Sequence, residues 1–387
     1  MRIAACLAAV LFLGAAPAGT AAAGILDETR AGFAWRAELQ GHGTAIDLVS
    51  SELNFGNPLG FARYAAGLDL RPELGLAVRR LDVSAAPRGE LRWSRYEDGP
   101  RRGETETTDD WFIQSWRARL RVGGGLFLSY GREILQWGPS YLLSPSNPFN
   151  RGNGENNPRV EEPGMEFARA VWIPGRRVAV SALANMGQGR LETFREFSRR
   201  YAIKADWIGE GNYASVILSV CEEESDRVTR GAFAGWSLSD AVLLHAEGAA
   251  AETFGDGDLL LGGTYTFSSG AFLVVEAFHD GTGCRADRIE ACFLSSSGGS
   301  DPADVLFRRN YLMFQLTHPR LRDRAQATAR WIHGLDDGST RVVGIYEREM
   351  GDRLEAFVTG LADLGSPRDE FGSVVAAAVM AGLAWTF

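Results

Sequence analysis

Three arginines stand two residues apart, at Arg117, Arg119 and Arg121. Alternate residues of a β-strand point to the same face, so this spacing predicts a row of three guanidinium groups along one side of a strand. No acidic residue lies on that face of the same segment. Guanidinium groups bind carboxylates and phosphates through paired hydrogen bonds. The row therefore predicts a surface that attracts anions, with structural ion pairs to neighbouring strands as the alternative.

The sequence gives little indication of a catalytic site or of a metal site. Nucleophilic catalysis needs a nucleophile and a base held together by further polar groups, and no histidine has a serine partner in a recognisable motif. The histidines are His42, His245, His279, His318 and His333. None stands near the cysteines at the spacing of a zinc site. We expect no enzyme, no metal and no cofactor, and the formal charge of −9 argues against a nucleic-acid partner.

Two cysteines bracket a short polar stretch. The polar sequence from Cys284 to Cys292, CRADRIEAC, predicts a loop. In an oxidising compartment this spacing predicts a loop disulfide. Cys221 would then be the cysteine left over, at the end of a strand.

The elements that position these side chains are strands. Val374–Phe387 shows this most clearly, because every second residue from Val375 to Phe387 is apolar and the set ends in Trp385 and Phe387. Strict alternation predicts a strand whose faces meet different surroundings. An unbroken apolar face that ends in aromatics suits contact with lipid. An edge strand of a soluble sandwich is the alternative.

Arg199–Trp207 and Arg324–Ile332 repeat the pattern, with charged or polar residues on one face and apolar residues on the other. A charge that faces hydrocarbon near the middle of a membrane costs about 2–4 kcal/mol, so the charged faces are expected to point into an interior. The candidates for pore-lining residues are Arg117, Arg119, Arg121, Arg200, Lys204, Asp206, Arg324 and Arg330.

The first residues of the chain have the pattern of an export signal. Arg2 precedes an apolar stretch from Ile3 to Ala16, and the small residues that end at Ala23 suit cleavage. Residues 1–23 are therefore predicted to be a signal peptide. No later run of eighteen apolar residues exists, which excludes a spanning helix in the mature sequence. Residues 24–387 are predicted to form a transmembrane antiparallel β-barrel in the outer membrane of a Gram-negative cell.

The connections between predicted strands alternate in length. Short ones, such as Trp207–Tyr213 and Phe267–Ala271, alternate with generally longer ones, such as Met186–Ser198 and Asp280–Asp304. Barrels with short periplasmic turns and long outer loops show this alternation. The segments predict about 18 strands, with 16 and 20 as alternatives. The first part of the chain divides into five short candidate strands, and Arg71-Pro72 is either a turn or a bend within one strand.

The longest connection, Glu133–Gly164, is rich in proline and asparagine. This composition favours fixed turns, and a loop of this length is usually functional or a plug. We expect it to fold inward and narrow a pore, with a surface loop of no special role as the alternative. The candidate constriction residues are Arg132, Trp137, Asn147, Phe149 and Arg151.

This stretch carries a family resemblance. Gly131-Arg132, then Trp137-Gly138, then an Asn-Pro-rich loop resembles porin-like Gram-negative outer-membrane barrels, which include families linked to alginate export and capsule assembly. Trp137-Gly138-Pro139 and Leu143-Ser144 are most similar to the capsule-assembly proteins, although no helical N-terminal bundle follows the signal peptide. Asn147-Pro148-Phe149-Asn150 is most similar to the porin-like relatives.

The resemblance implies partners as well as a fold. These are outer-membrane lipid and lipopolysaccharide, the barrel-assembly machinery acting on the C-terminal strand, and a small polar solute or a polysaccharide. The sequence thus predicts a channel for small polar or anionic solutes. A barrel that assists capsule or exopolysaccharide export without an open pore is the alternative.

Overall fold

The computed structural model describes residues 32–152, 164–190, 197–222, 228–251, 256–295, 306–321 and 324–387. The predicted signal peptide lies outside the described residues. The described strands are β1 (Phe33–Leu48), β2 (Tyr64–Val78), β3 (Leu81–Arg95), β4 (Thr105–Gly123), β5 (Leu126–Glu133), β6 (Met165–Trp172), β7 (Val178–Gly187), β8 (Arg200–Ile208), β9 (Asn212–Cys221), β10 (Val228–Ser239), β11 (Val242–Ala250), β12 (Asp258–Thr266), β13 (Phe272–His279), β14 (Asn310–Leu321), β15 (Ala325–Gly334), β16 (Thr340–Glu349), β17 (Leu354–Leu364) and β18 (Val375–Thr386).

The strands close into an eighteen-stranded antiparallel barrel. Each strand pairs with the next along the chain, and β18 pairs with β1, with Ala384 opposite Gln40. Closure removes the free edges that an open sheet would expose. The predicted fold is therefore confirmed, and the soluble sandwich is excluded. Among the described residues outside the strands lie a 3-10 turn at Gly99–Arg101 and a short helix, α1 (Ile289–Ser295). No helix in the described part of the chain is long and apolar enough to cross a membrane.

The first three strands correct the five that the sequence predicts for this region. Arg71-Pro72 is a bend and not a turn, because β2 continues through it and Pro72 lies opposite Ala37 of β1. On the other side of β2, the pairing with β3 is interrupted between Leu70 and Leu74. Proline has no N–H to donate, so it is tolerated where the ladder is interrupted. Short apolar runs on either side of such a bend look like separate strands in the sequence.

Strand β4 contains a β-bulge at Gln114. Ala86 of β3 pairs with Ser115 and Pro87 pairs with Ile113, so Gln114 is an extra residue. A bulge of one residue reverses the side-chain alternation beyond it. Trp111 and Ile113 are consequently exposed on the outside, whereas Phe112 packs under Arg190. Plain alternation along β4 predicts that Phe112 shares a face with Trp116, and the bulge makes this prediction wrong.

The outer face is apolar and ends in aromatics. Outward side chains such as Ile203, Val216 and Leu261 are exposed along the wall. Large aromatics are exposed near the end of the barrel that carries the short connections, namely Trp35, Trp172, Trp207, Trp236, Tyr265 and Trp385. Aromatic girdles of this kind flank the apolar band of membrane barrels. The longer connections lie at the opposite end.

Candidate functional site: the lumen and its inward loop

The segment after β5 folds into the barrel. Residues 134–152, called the inward loop, hold Leu135, Trp137, Ser144 and Asn147 buried. The loop leaves β5 and reaches β13, which lies eight strands farther around a ring of eighteen. It therefore crosses nearly the full width of the lumen. Residues 153–163, the rest of the predicted constriction segment, lie outside the described residues.

Glu276 of β13 anchors the middle of the loop. Its two carboxylate oxygens accept hydrogen bonds from the backbone N–H groups of Tyr141 and Leu142, both at 2.8 Å. The Nε2 of His245 lies 2.9 Å from Oε1 of the same carboxylate. Glu276 is 0% exposed. A buried carboxylate is stable only when donors surround it, so the loop backbone and the wall strand stabilise each other.

Glu247 of β11 makes a second anchor. Ser146 donates to its Oε1 from the backbone N at 3.0 Å and from Oγ at 2.7 Å, and the hydroxyls of Ser140 and Ser144 also donate to it. Gly138 passes so close that a Cβ there would lie 2.2 Å from Oε2 of Glu247. Glu247 is 1% exposed. Glu247 and Glu276 are called the latch glutamates below.

Apolar contacts fill the space between the loop and the wall. Trp137 and Phe149 lie edge to face at 5.6 Å, and Phe149 contacts Phe167 of β6 at 4.9 Å. Farther along the loop, Leu142 and Leu143 join the buried cluster formed by β12–β15. The lumen beside β6–β13, called the packed sector, is thus occupied by protein.

The candidate constriction residues hold the loop in shape. Asn147 donates through Nδ2 to the Leu135 carbonyl at 2.7 Å and accepts from the Phe149 N–H at 3.1 Å. Arg151 reaches Asp258 of β12 at 2.8 Å. Arg132 lies at the end of β5, where it donates to the Ile113 carbonyl at 2.8 Å and pairs with Glu166 at 3.1 Å.

Three of the candidate pore-lining residues lie beneath the loop. Arg200 donates to the Pro148 carbonyl. Lys204 pairs with Asp206 and lies 5.6 Å from the ring centre of Trp137. The side chain of Lys204 is only 12% exposed. The sequence indicates the inward face of β8 but does not indicate that a loop covers it.

Two further candidates, Arg330 and Arg324, lie in and just before β15. Arg330 is buried in the inner face of β15, where its Nε donates to Oε1 of Gln315 at 2.7 Å. Arg324 precedes β15 in the short connection that follows β14. Its side chain is exposed at that end of the barrel.

The arginine row of β4 lies in a different setting. The side chains of Arg117 and Arg119 are 34% and 43% exposed, and each has a nitrogen 3.6 Å from a carboxylate oxygen of Asp82 on β3. Arg117 also lies 3.6 Å from Glu133. Arg119 and Arg121 flank the Phe127 ring at 5.9 and 5.5 Å. Acids on the neighbouring strands thus partly neutralise the row, which strand-by-strand reasoning does not reveal.

A row of acids crosses the same wall. Asp69, Glu90 and Asp110 lie directly opposite one another on β2, β3 and β4. Arg71 pairs with Asp69 at 3.0 Å, and Arg190 pairs with Asp110 at 3.2 Å. The inward faces of β2–β4, called the charged sector, therefore carry both signs of charge. Period-two alternation places each acid on the inward face, but only the register aligns the three.

Sequence reasoning also missed the role of the latch glutamates. Alternation places both on the inward faces of their strands, but their partners lie more than 100 positions earlier in the chain. A usable signal existed, since Glu276 interrupts the otherwise apolar inward face of Val274 and Phe278. Such an acid needs a donor from elsewhere in the fold.

The predicted disulfide lies at the end of the barrel that carries the longer connections. Cys284 and Cys292 are joined by an S–S bond in the connection between β13 and β14, and Cys292 is fully buried. Cys221 ends β9 with its Sγ 3.1 Å from the Ser198 hydroxyl. Within the described ranges, no group of three or more His, Cys, Asp or Glu side chains could hold a metal ion.

Comparisons with known proteins show the fold. No protein-family model and no curated protein matches the chain. OccK7 (OpdD) of Pseudomonas aeruginosa is similar in structure, with a TM-score of 0.59, 13% identity, and coverage of 92% of this chain and 98% of that one. OprD of the same organism is similar at a TM-score of 0.54 and 9% identity, over 92% of this chain and 95% of that one. At these identities the likeness concerns the fold and not the activity.

Proposed function

We propose that the protein is an outer-membrane channel for small polar solutes and that it favours anions. The observation that carries this proposal is the exposure of Arg117 and Arg119 to the lumen beside a loop that is fixed to the far wall. The three arginines of the row face two nearby acids, Asp82 and Glu133, so three positive charges less two negative ones leave a local excess of one. In a narrow lumen, local charge outweighs the distant surface charge of the chain.

Planar-bilayer recording tests the channel. We expect the purified protein to give discrete conductance steps with a reversal potential on the anion-selective side. Replacing Arg117, Arg119 and Arg121 together with glutamine should move the reversal potential toward cations, because it leaves Asp82 and Glu133 without partners. Absence of conductance, or an unchanged ion preference in the triple variant, would contradict the proposal.

The location in the outer membrane is part of the same proposal. Its support is the apolar outer face with exposed aromatics at the end of the short connections. Lipid and lipopolysaccharide would contact this face, and the barrel-assembly machinery would recognise the strand that ends at Phe387. Deleting Phe387 should lower the amount of inserted protein at equal synthesis, as measured by heat-modifiable gel mobility of membrane fractions. Full insertion without Phe387 would remove that role from the last strand.

A barrel without an open passage is a second candidate. The packed sector favours it, since the loop and the wall leave little free space beside β6–β13. Such a barrel would act through its outer loops in capsule or polysaccharide export. It predicts no conductance but retention of the protein on immobilised acidic polysaccharide, and the bilayer experiment separates the two candidates.

A further inference from the structure

Three outer connections join into one cap. Arg308, in the connection that leads into β14, lies 3.1 Å from Asp337 of the β15–β16 connection, and both side chains are buried. Asp337 accepts a hydrogen bond from the backbone N–H of Glu370 in the β17–β18 connection at 2.9 Å. Glu370 in turn accepts from the Phe307 and Arg308 N–H groups at 3.0 and 3.2 Å. The three connections therefore cannot move independently.

The cap reaches into the lumen. Phe371 follows Glu370 and is almost fully buried, with its ring centre 6.5 Å from that of Tyr311 on β14. Arg341 of β16 lies over the Phe371 ring at 4.9 Å. The β17–β18 connection thus packs Phe371 against side chains of β14 and β16.

The segment from Cys284 to Cys292, called the strap, contacts both this cap and the β1–β2 connection. Ile289 is buried and donates from its backbone N–H to the Arg368 carbonyl at 3.1 Å. Arg288 pairs with Glu52 of the β1–β2 connection at 2.9 Å. From β14 to β1 the ring advances five strands. The strap therefore spans the outer ends of β14–β18 and ends against the loop that borders the charged sector.

The disulfide holds the strap in the shape that makes these contacts. The seven-residue helix that begins at Ile289 is too short to be stable by itself in water. The Arg288–Glu52 pair is exposed, and exposed ion pairs contribute little. Cross-linking two positions eight residues apart limits the conformations of the released strap. Arg308 also donates to the carbonyl of Ala286 inside the cross-linked loop, which fixes it to the cap.

We propose that the strap is a redox-sensitive closure of the outer mouth, and that reducing the Cys284–Cys292 disulfide releases it. A dithiol reductant supplies the two electrons and two protons that convert the disulfide into two thiols, and the dithiol itself becomes a disulfide. Loss of the cross-link should lower the ratio of closed to open strap by about tenfold to a hundredfold, according to the chain-entropy cost of a loop of this size. The proposal depends on the proposed channel only for its conductance readout.

The first experiment records conductance before and after dithiothreitol is added on the side of the outer loops. We expect reduction to increase the open fraction of the wild-type protein. A C284S/C292S variant should show this larger open fraction from the start and should not respond to the reductant. R288Q should give a smaller increase, whereas R36Q should give none, because Arg36 forms a comparably exposed pair with Glu73 at the opposite end of the barrel.

A second experiment separates failure of the strap from failure of the channel. In a C221S/R119C background, a membrane-impermeant maleimide is added from the outer side, and labelling of the introduced cysteine is followed by peptide mass spectrometry. Reduction should accelerate labelling even if the protein conducts no ions. Equal labelling rates with intact and reduced Cys284–Cys292, in protein whose barrel remains heat-modifiable, would overturn the proposal.

Discussion

Lys204 of the packed sector and Arg119 of the charged sector occupy equivalent positions in their strands, yet they differ in surroundings. Both are inward-facing cations beside an aspartate, and both follow the same period-two pattern. The inward loop covers Lys204, so that its side chain is 12% exposed, whereas that of Arg119 is 43% exposed. Strand alternation therefore decides which way a charge points, and the path of one loop decides how far that charge is exposed.

The two sectors also differ in how their charges are stabilised. The latch glutamates are buried and accept hydrogen bonds from the backbone and the hydroxyls of a distant loop. In the charged sector, Arg117 and Arg119 lie 3.6 Å from Asp82 on the adjacent strand, and their side chains remain 34% and 43% exposed. Buried carboxylates in fixed hydrogen bonds suit a structural role, and exposed charges suit contact with a passing solute.

Breaking the anchor in the packed sector should have the largest effect. E276A leaves the Tyr141 and Leu142 N–H groups without their acceptor, at a cost of about 1–3 kcal/mol for each unpaired donor. We expect the inward loop to detach, with larger and noisier conductance and a lower melting temperature. E73A, at an exposed position outside the loop, is the matched control. A variant E276A with wild-type conductance would show that the loop does not depend on this anchor.

Raising the pH should have the next largest effect on stability, because it ionises Glu370 in the cap. Burial raises the pKa of Glu370 from 4.5 to about 7. An acid whose folded pKa is raised contributes stability that is complete below pH 4.5 and is lost as the pH rises through about 7, here about 3 kcal/mol in all. The charged and titratable groups that face it are Arg308, Asp337 and Tyr311.

Hydrogen exchange of the Phe307 and Arg308 amides measures this titration, because both donate to Glu370. After correction for intrinsic exchange, their protection should fall between pH 5 and pH 8 in the wild-type protein. In E370Q the dependence should disappear, since glutamine does not ionise. Protection that falls equally in both proteins would assign the effect to another group.

A substitution at Gly138 should give a smaller effect in the packed sector. This residue has a φ of +85°, and an added Cβ would meet the carboxylate of Glu247. G138A should destabilise the loop by about 1–3 kcal/mol through backbone strain and this contact. The control is G344A, in β16, where a Cβ would meet nothing within 4 Å. Equal melting temperatures for the two variants would contradict the close packing of the loop against Glu247.

The smallest expected effect is a difference in ion preference between a variant of the charged sector and a variant of the packed sector. R119Q should shift the reversal potential toward cations by a few millivolts, because it removes one exposed charge from the lumen. K204Q should leave the reversal potential unchanged, because the inward loop separates Lys204 from the passage. A larger shift for K204Q than for R119Q would mean that solutes pass on the other side of the loop.

The sequence by itself determined the barrel. Strict alternation from Val375 onward and in Arg199–Trp207 leaves one apolar and one polar face, and the alternation of short and long connections places all turns of one kind at one end. These are local properties, since a strand's period and a turn's length depend on neighbouring residues. A local pattern failed at Gln114, where a bulge interrupts the period without ending the strand. The division into short segments failed at Pro72, where β2 continues in unbroken register with β1.

Only the tertiary structure decided what the lumen contains. The strand register brings Asp82 opposite Arg119 and aligns Asp69, Glu90 and Asp110. The loop that crosses the barrel brings Tyr141 to Glu276. Contacts between residues far apart in the chain leave no periodic signal, because each partner only has to be polar and inward-facing. The sequence therefore specified the wall of this protein, and the long-range pairing of a few buried and half-buried charges decided which inward charges stay exposed.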